Sequence, residues 1–138
     1  MLFRSLKTEE KEIIISYSVR SSVGSEKDEL ISRIECLAEA LGGYLTISGA
    51  YPAWEYKEES PLRELMVEVY KEMYGREPLV EAMHAGVECG LFEGAMPELD
   101  AISFGPDLRD VHTPGETMDI GSVGRTWDYL LETLKRIK

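Results

Sequence analysis

The stretch Tyr51-Pro-Ala-Trp-Glu-Tyr-Lys-Glu-Glu59 breaks an otherwise regular chain and constrains everything on either side of it. Proline and clustered charge read here as a connecting loop and a candidate boundary. Small αβ pieces lie before and after it. A piece of about 55 residues has a marginal core unless it leans on something else.

Before the loop, residues 11–20 are rich in β-branched and aromatic side chains and alternate from Ile15 to Val19, so they read as a strand. Ser25 opens a helix, with Asp28 three residues on in a weak capping-box arrangement. Leu30, Ile34, Leu37, Ala38 and Leu41 share one helical face, and Gly42-Gly43 stops it. Residues 44–50 read as a second strand, which makes the first fifty residues a β-α-β unit. After the loop, Ser60-Pro61 marks a helix start, with serine at the N-cap and proline at N1. Leu62, Leu65, Met66, Val69, Tyr70 and Met73 form its buried stripe, and Gly75 ends it. Residues 78–83 and 100–104 read as strands. Residues 121–137 form the last helix, with Val123, Trp127, Leu130, Leu134 and Ile137 on one side.

Composition narrows the function. The chain has 138 residues, 43% apolar and 30% charged, which suits a globular domain and excludes a large multidomain enzyme. A net charge of −11 without a Lys/Arg cluster repels phosphate backbones, so nucleic acid is not an expected partner. No apolar run reaches the ~18–20 residues of a membrane span. The N-terminus is charged too early for a signal peptide. Cys36 and Cys89 stand far apart and suggest no disulfide framework, which favours a reducing cytoplasm.

Two segments carry unusual chemistry. Met83-His-Ala-Gly-Val-Glu-Cys-Gly90 brings an imidazole, a carboxylate and a thiol together beside two glycines, which permit close backbone approach. It is either a site at a strand end or a strand-to-helix turn with a satisfied polar cluster. Phe104-Gly-Pro-Asp-Leu-Arg-Asp-Val-His-Thr-Pro-Gly-Glu116 places one histidine among acids in a stiffened loop. That is either a zinc-binding arrangement or a surface cluster. Cys89 beside His84 allows a thiol nucleophile or a buried small hydrophobe. Arg20 either ends a strand in solvent or waits as a fixed guanidinium for a carboxylate. HExxH, Cys-x-x-Cys, phosphate-loop and Gly-x-Ser-x-Gly motifs are missing.

Taken together, His84-Ala-Gly-Val-Glu-Cys-Gly-Leu-Phe92, Asp100-Ala-Ile-Ser-Phe-Gly-Pro106 and Val111-His-Thr-Pro-Gly-Glu116 resemble the C-terminal part of the aminoacyl-histidine dipeptidases, or Xaa-His dipeptidases. Tyr51-Pro-Ala-Trp54, Ser60-Pro-Leu62 and Ser18-Val-Arg-Ser-Ser22 fit the same pattern, so the resemblance covers essentially the whole chain. It implies an α/β (α+β) fold of a di-zinc exopeptidase, whose catalytic αβ domain is interrupted by a lid of the dimerisation type. Residues 1–52 would be the last β-α-β portion of that lid. Residues 53–138 would close the catalytic domain.

The resemblance also implies roles. His112 matches the final histidine ligand of one zinc, and Glu116 an acid that supports that loop. Arg20 matches a lid arginine that grips the substrate's C-terminal carboxylate. Gly105 lies near the substrate backbone. Glu88 sits where relatives place a Thr-Asp pair after two glycines, on the substrate side. No general base is among these residues. The first histidine ligand, the bridging aspartate, the general-base glutamate and the other carboxylate ligands of the family have no counterpart. The expectation is therefore a piece of a zinc dipeptidase that binds zinc weakly or not at all and is inactive alone. It would self-associate or join the missing N-terminal half. The alternative is a non-catalytic αβ interaction or oligomerisation module.

Overall fold

The computed structural model describes residues 2–84 and 88–137. They divide into two units: one takes residues 1–56 and 81–99, the other residues 57–80 and 100–138. The first crossing falls inside the loop that the sequence marks. The fold class is α+β, with helices and two small antiparallel sheets.

In the first unit, β1 (Leu2–Thr8) and β2 (Ile13–Ser18) form an antiparallel hairpin with Leu6 opposite Ile15 and a bulge between Phe3 and Ser5. The Glu9 N–H donates to the Glu12 carbonyl across the turn at 2.9 Å. The ring edge of Phe3 meets Tyr17. Both faces are exposed along Ile13, Ile14 and Ile15, so the hairpin has no second layer among the described residues. Helix α1 (Gly24–Ala40) follows. Its start differs from the expected Ser25 cap: Val23 is the N-cap residue and offers no side-chain bond. Instead Ser21 Oγ accepts from the Val23 N–H, and Glu55 Oε1 accepts from the Gly24 N–H at 2.6 Å. These side chains satisfy donors that a helix end leaves open. Leu30, Ile34 and Ala38 are half-buried, whereas Leu37 and Leu41 are exposed.

Helix α3 (Glu88–Ala95) completes the first unit. A Cβ at Gly90 would stand 3.2 Å from Trp54 Cβ, and one at Gly94 3.0 Å from Pro52 Cγ. The two glycines, four residues apart, let one face of α3 lie directly on the Pro52–Trp54 backbone.

The second unit holds the buried apolar core. Helix α2 (Pro61–Tyr74) runs as the sequence reads, from the Ser60 cap to Gly75 in the left-handed conformation at φ 67°. Ser60 Oγ accepts from the Arg63 N–H and donates to Asp100 Oδ1 at 2.6 Å; Asp100 Oδ2 accepts from the Leu62 N–H at 2.9 Å. Asp100 therefore finishes a cap that begins forty positions earlier. Met66 and Val69 pack against Tyr129 of α4 (Ile120–Arg136). The Tyr129 hydroxyl donates to the Met66 carbonyl at 2.7 Å, and its ring meets Tyr70 and Phe104 edge-on. Burial raises the Tyr129 phenol to about 12, helped by Tyr70 and Tyr74. Asp119 caps α4 by accepting from the Ser122 N–H.

Two sequence expectations change. Residues 44–50, 78–83 and 100–104 carry no sheet pairing, so residues 2–50 form a hairpin and a helix rather than a β-α-β unit. Apolar pattern makes a segment suitable for a strand, but a strand is completed by N–H···O=C bonds to a neighbour. No described segment supplies that neighbour. The last helix also turns differently. Its packed residues are Ser122, Tyr129 and Thr133, while Val123, Trp127, Leu134 and Ile137 are exposed.

Candidate functional site

His112 sits in the loop of a short hairpin, β3 (Leu108–Arg109) paired with β4 (Thr117–Met118). The loop is cross-tied. Thr113 donates to the Asp110 carbonyl through both its N–H and its Oγ1. The Gly115 N–H donates to Thr113 Oγ1, and the Glu116 N–H to the Thr113 carbonyl. The base of the hairpin is fixed by the Asp119 N–H on the Asp107 carbonyl and by the Asp107 N–H on Ser122 Oγ at 2.8 Å. An exposed ion pair joins Arg125 to Asp107 at 3.2 Å.

Within this frame Asp110 and His112 have φ of 52° and 66°. A side chain in the left-handed region meets its own backbone at a cost of about 1–2 kcal/mol. Glu116 Oε2 accepts from the His112 N–H at 2.9 Å and so offsets the strain at the residue that carries it. The imidazole is exposed rather than sealed in apolar surroundings. Gly105, seven residues earlier, is exposed too, and a Cβ there would meet nothing within 4 Å, so the space beside its backbone is open.

The first unit carries the other two candidates. Arg20 lies two residues beyond β2, exposed and without a hydrogen bond or ion pair among the described residues. Glu88 is exposed in the first turn of α3, where a carboxylate suits the positive end of the helix dipole. Arg20 and Glu88 do not pair with each other. The structure brings His112 and Glu116 together in the second unit, where Gly105 is exposed, and leaves Arg20 and Glu88 exposed in the first.

The thiol reading of the first loop weakens. Burial pushes the Cys89 thiol up, and the charges of Glu88 and Glu93 act the same way against a lowering backbone hydrogen bond. Thiolate is the nucleophile, so a raised thiol is a poor one. His84 is exposed. The intervening Ala85, Gly86 and Val87 lie outside the described residues.

Metal chemistry needs more donors than the described residues assemble. Among the described residues no group of three His, Cys, Asp or Glu side chains could hold an ion. A single imidazole does not fit a zinc site, which takes three or four protein ligands. The groove between α2 and α4 is no substitute: its Glu72, Glu132, Lys135 and Arg136 already pair with one another. Those cations, Lys135 first and then Arg136, hold the Glu132 carboxyl below its usual range.

Comparison with known proteins gives the chain a context. No protein-family model matches it. It is 39% identical over 119 residues to the cytosol non-specific dipeptidase of Escherichia coli (strain K12), covering 86% of this chain and 24% of that protein. A crystal structure of an aminoacylhistidine dipeptidase from Vibrio alginolyticus matches 96% of this chain and 27% of its own, at 30% identity and a TM-score of 0.77. The chain thus spans about a quarter of the length of the relatives it matches. No helix among the described residues is long and apolar enough to cross a membrane.

Proposed function

We propose, from the chain's kinship with the aminoacyl-histidine dipeptidases over a quarter of their length, that it is the closing part of a cytoplasmic dipeptide hydrolase. One observation carries the assignment of roles. His112 is exposed, strained at φ 66° and held by Glu116, inside the segment that bears the resemblance. Backbone strain kept at both Asp110 and His112 of one exposed loop is characteristic of a segment that aims a side chain.

In this reading His112 contributes one imidazole to a zinc centre whose other ligands and general base lie outside the chain. Glu116 fixes the backbone that points the imidazole. Arg20 offers a two-pronged guanidinium to the substrate's terminal carboxylate, a geometry that lysine cannot reproduce. The open space at Gly105 admits the substrate backbone, and Glu88 lies on the substrate side. Residues 1–52 belong to the lid and residues 53–138 to the catalytic domain. With His112 the one zinc ligand that the resemblance assigns to it and the general base assigned elsewhere, the chain alone is inactive and binds zinc weakly.

A chimaera tests the assignment. This chain replaces the matching segment of the Escherichia coli dipeptidase, and an aminoacyl-histidine dipeptide is assayed with zinc. The chimaera should turn over; His112→Ala should lower kcat at least a thousandfold and reduce bound zinc; Arg20→Ala should act mainly on KM. Unchanged zinc content and kcat in His112→Ala would overturn its role. The isolated chain should show no turnover, and activity comparable to the complete relative would overturn that expectation.

A second reading has an observation in its favour. The first unit buries no large apolar side chain among the described residues, which suits a non-catalytic module built to associate with itself or another chain. An inactive chimaera together with a stable self-associated species would support it.

A further inference from the structure

We propose that the exposed apolar side of α4, centred on Val123, Trp127 and Leu134, is the seat on which the remaining three quarters of a dipeptidase polypeptide docks when supplied as a separate chain. This rests on the reading above that the chain is one part of such a hydrolase.

At about 100° per residue, α4 divides into three sectors. Ser122, Tyr129 and Thr133 fall within about 40° of one another and are the buried residues. Asp128, Glu132, Lys135, Arg125 and Arg136 occupy the next sector. Val123, Trp127 and Leu134 fall within about 40° of one another, roughly 120° from the packed face, and no charge interrupts them. Ile120 and Leu131 extend the same side. A helix with one face on a core and one in water needs only two sectors. Here a third is apolar, yet Trp127 is 58% exposed, Leu134 54% and Ile120 83%. Contiguous apolar surface of this kind marks an interaction face.

The exposed area is large enough for a permanent interface. The chain exposes 10899 Å². Even two separate compact bodies, each of half its 15.6 kDa, would together expose only roughly 8,700 Å². The excess, about 2,200 Å², is spread over both units and includes the uncovered β1–β2 hairpin as well as α4; one partner of a permanent complex contributes roughly 1,000–2,500 Å². The occupant follows from the comparison. Nearly all of this chain, 96%, matches a stretch within one longer chain of which it forms 27%. The residues of such a longer chain outside the match are the candidates to cover α4.

The test co-expresses the full 138-residue chain with a tagged Escherichia coli cytosol non-specific dipeptidase from which the matching segment is deleted. The expected result is a soluble one-to-one complex. Trp127→Glu should weaken it at least a hundredfold. The isolated variant should keep its helical circular dichroism and its Tm within a few degrees, because Trp127 points away from the α2–α4 core. Val123→Glu, also outside that core, should behave alike. Binding unaffected by both variants overturns the proposal. So does a partner that stays insoluble or unbound with the wild-type chain, or a wild-type homodimer that Trp127→Glu dissociates. The outcome is separable from the enzymatic reading, which the covalent chimaera reports. A complex that needs Trp127 beside an inactive chimaera keeps the seat and removes the peptidase. An active chimaera beside a partner indifferent to Trp127 keeps the peptidase and removes the seat.

Discussion

The two units have similar raw material and use it differently. The unit of α2 and α4 closes over Val69, which is fully buried, and ties Tyr129 to the Met66 carbonyl. The unit of the β1–β2 hairpin contains three consecutive isoleucines and leaves all three exposed. The contrast separates two meanings of an apolar pattern. It fixes which side chains will be covered, but what covers them need not be nearby in the chain. Two helices can cover each other, whereas a two-stranded hairpin needs a further layer.

The sharpest way to break this comparison is to place a charge in each unit. Val69→Asp should unfold the second unit, a loss above about 4 kcal/mol, because an unpaired carboxylate would replace a methyl pair in the core. Ile15→Asp should change the stability of the isolated chain by no more than about 0.5 kcal/mol. Denaturant titration gives both numbers, and equal losses would erase the distinction. Hydrogen exchange should agree, with slow amides in α2 and α4 and fast ones in β1 and β2.

Alkali sharpens the comparison next. The Tyr129 phenol is held at about 12 in the folded chain against about 10 when unfolded. The neutral phenol is the form the core retains. Its contribution is therefore complete below pH 10 and is lost as pH rises from 10 to 12. The loss is on the order of 2–3 kcal/mol, confined to the second unit, and visible as coupled phenolate absorbance and helix melting. Tyr129→Phe should remove that pH dependence.

Smaller effects test the caps and the loop. Ser60→Ala should cost about 1–2 kcal/mol, because it removes the acceptor for Arg63 and the donor to Asp100 together. The melting temperature of α2 reads it. Glu116→Ala, which removes the acceptor for the His112 N–H, should cost at most about 1 kcal/mol, with the backbone coupling constant of His112 moving away from its positive-φ value. A coupling that stays put would mean the loop holds His112 without Glu116.

These cases also show where sequence reasoning reaches. Helix α2 was legible from end to end because the signals that set its limits are local: Ser60 and Pro61 at the start, Gly75 at the stop, apolar residues at helical spacing between. Helix α4 was legible in extent but not in orientation. Its most apolar side looks like the core side, and only the packing of Tyr129 against Met66 reveals that it is not. The cap by Asp100 is bridged across forty residues, so no local pattern signals it. Strand β1 escaped because its pairing depends on β2 rather than on its own alternation. The loop of His112 was found by composition. The left-handed backbone there was not, since histidine does not announce it as glycine would. The attachment of residues 81–99 to the first unit did have a sign, the Gly90–Gly94 spacing that admits Pro52 and Trp54.

That attachment bears on how the gene can be divided. The polypeptide passes from one unit to the other at residues 56, 80 and 99, as a thread crosses a seam. A stop codon or protease cut at the first crossing would deprive the hairpin unit of α3 and leave α2 and α4 separated by a nineteen-residue guest. Neither half can be inherited, swapped or shuffled as one exon-like block, so recombination that preserves both units must exchange them together.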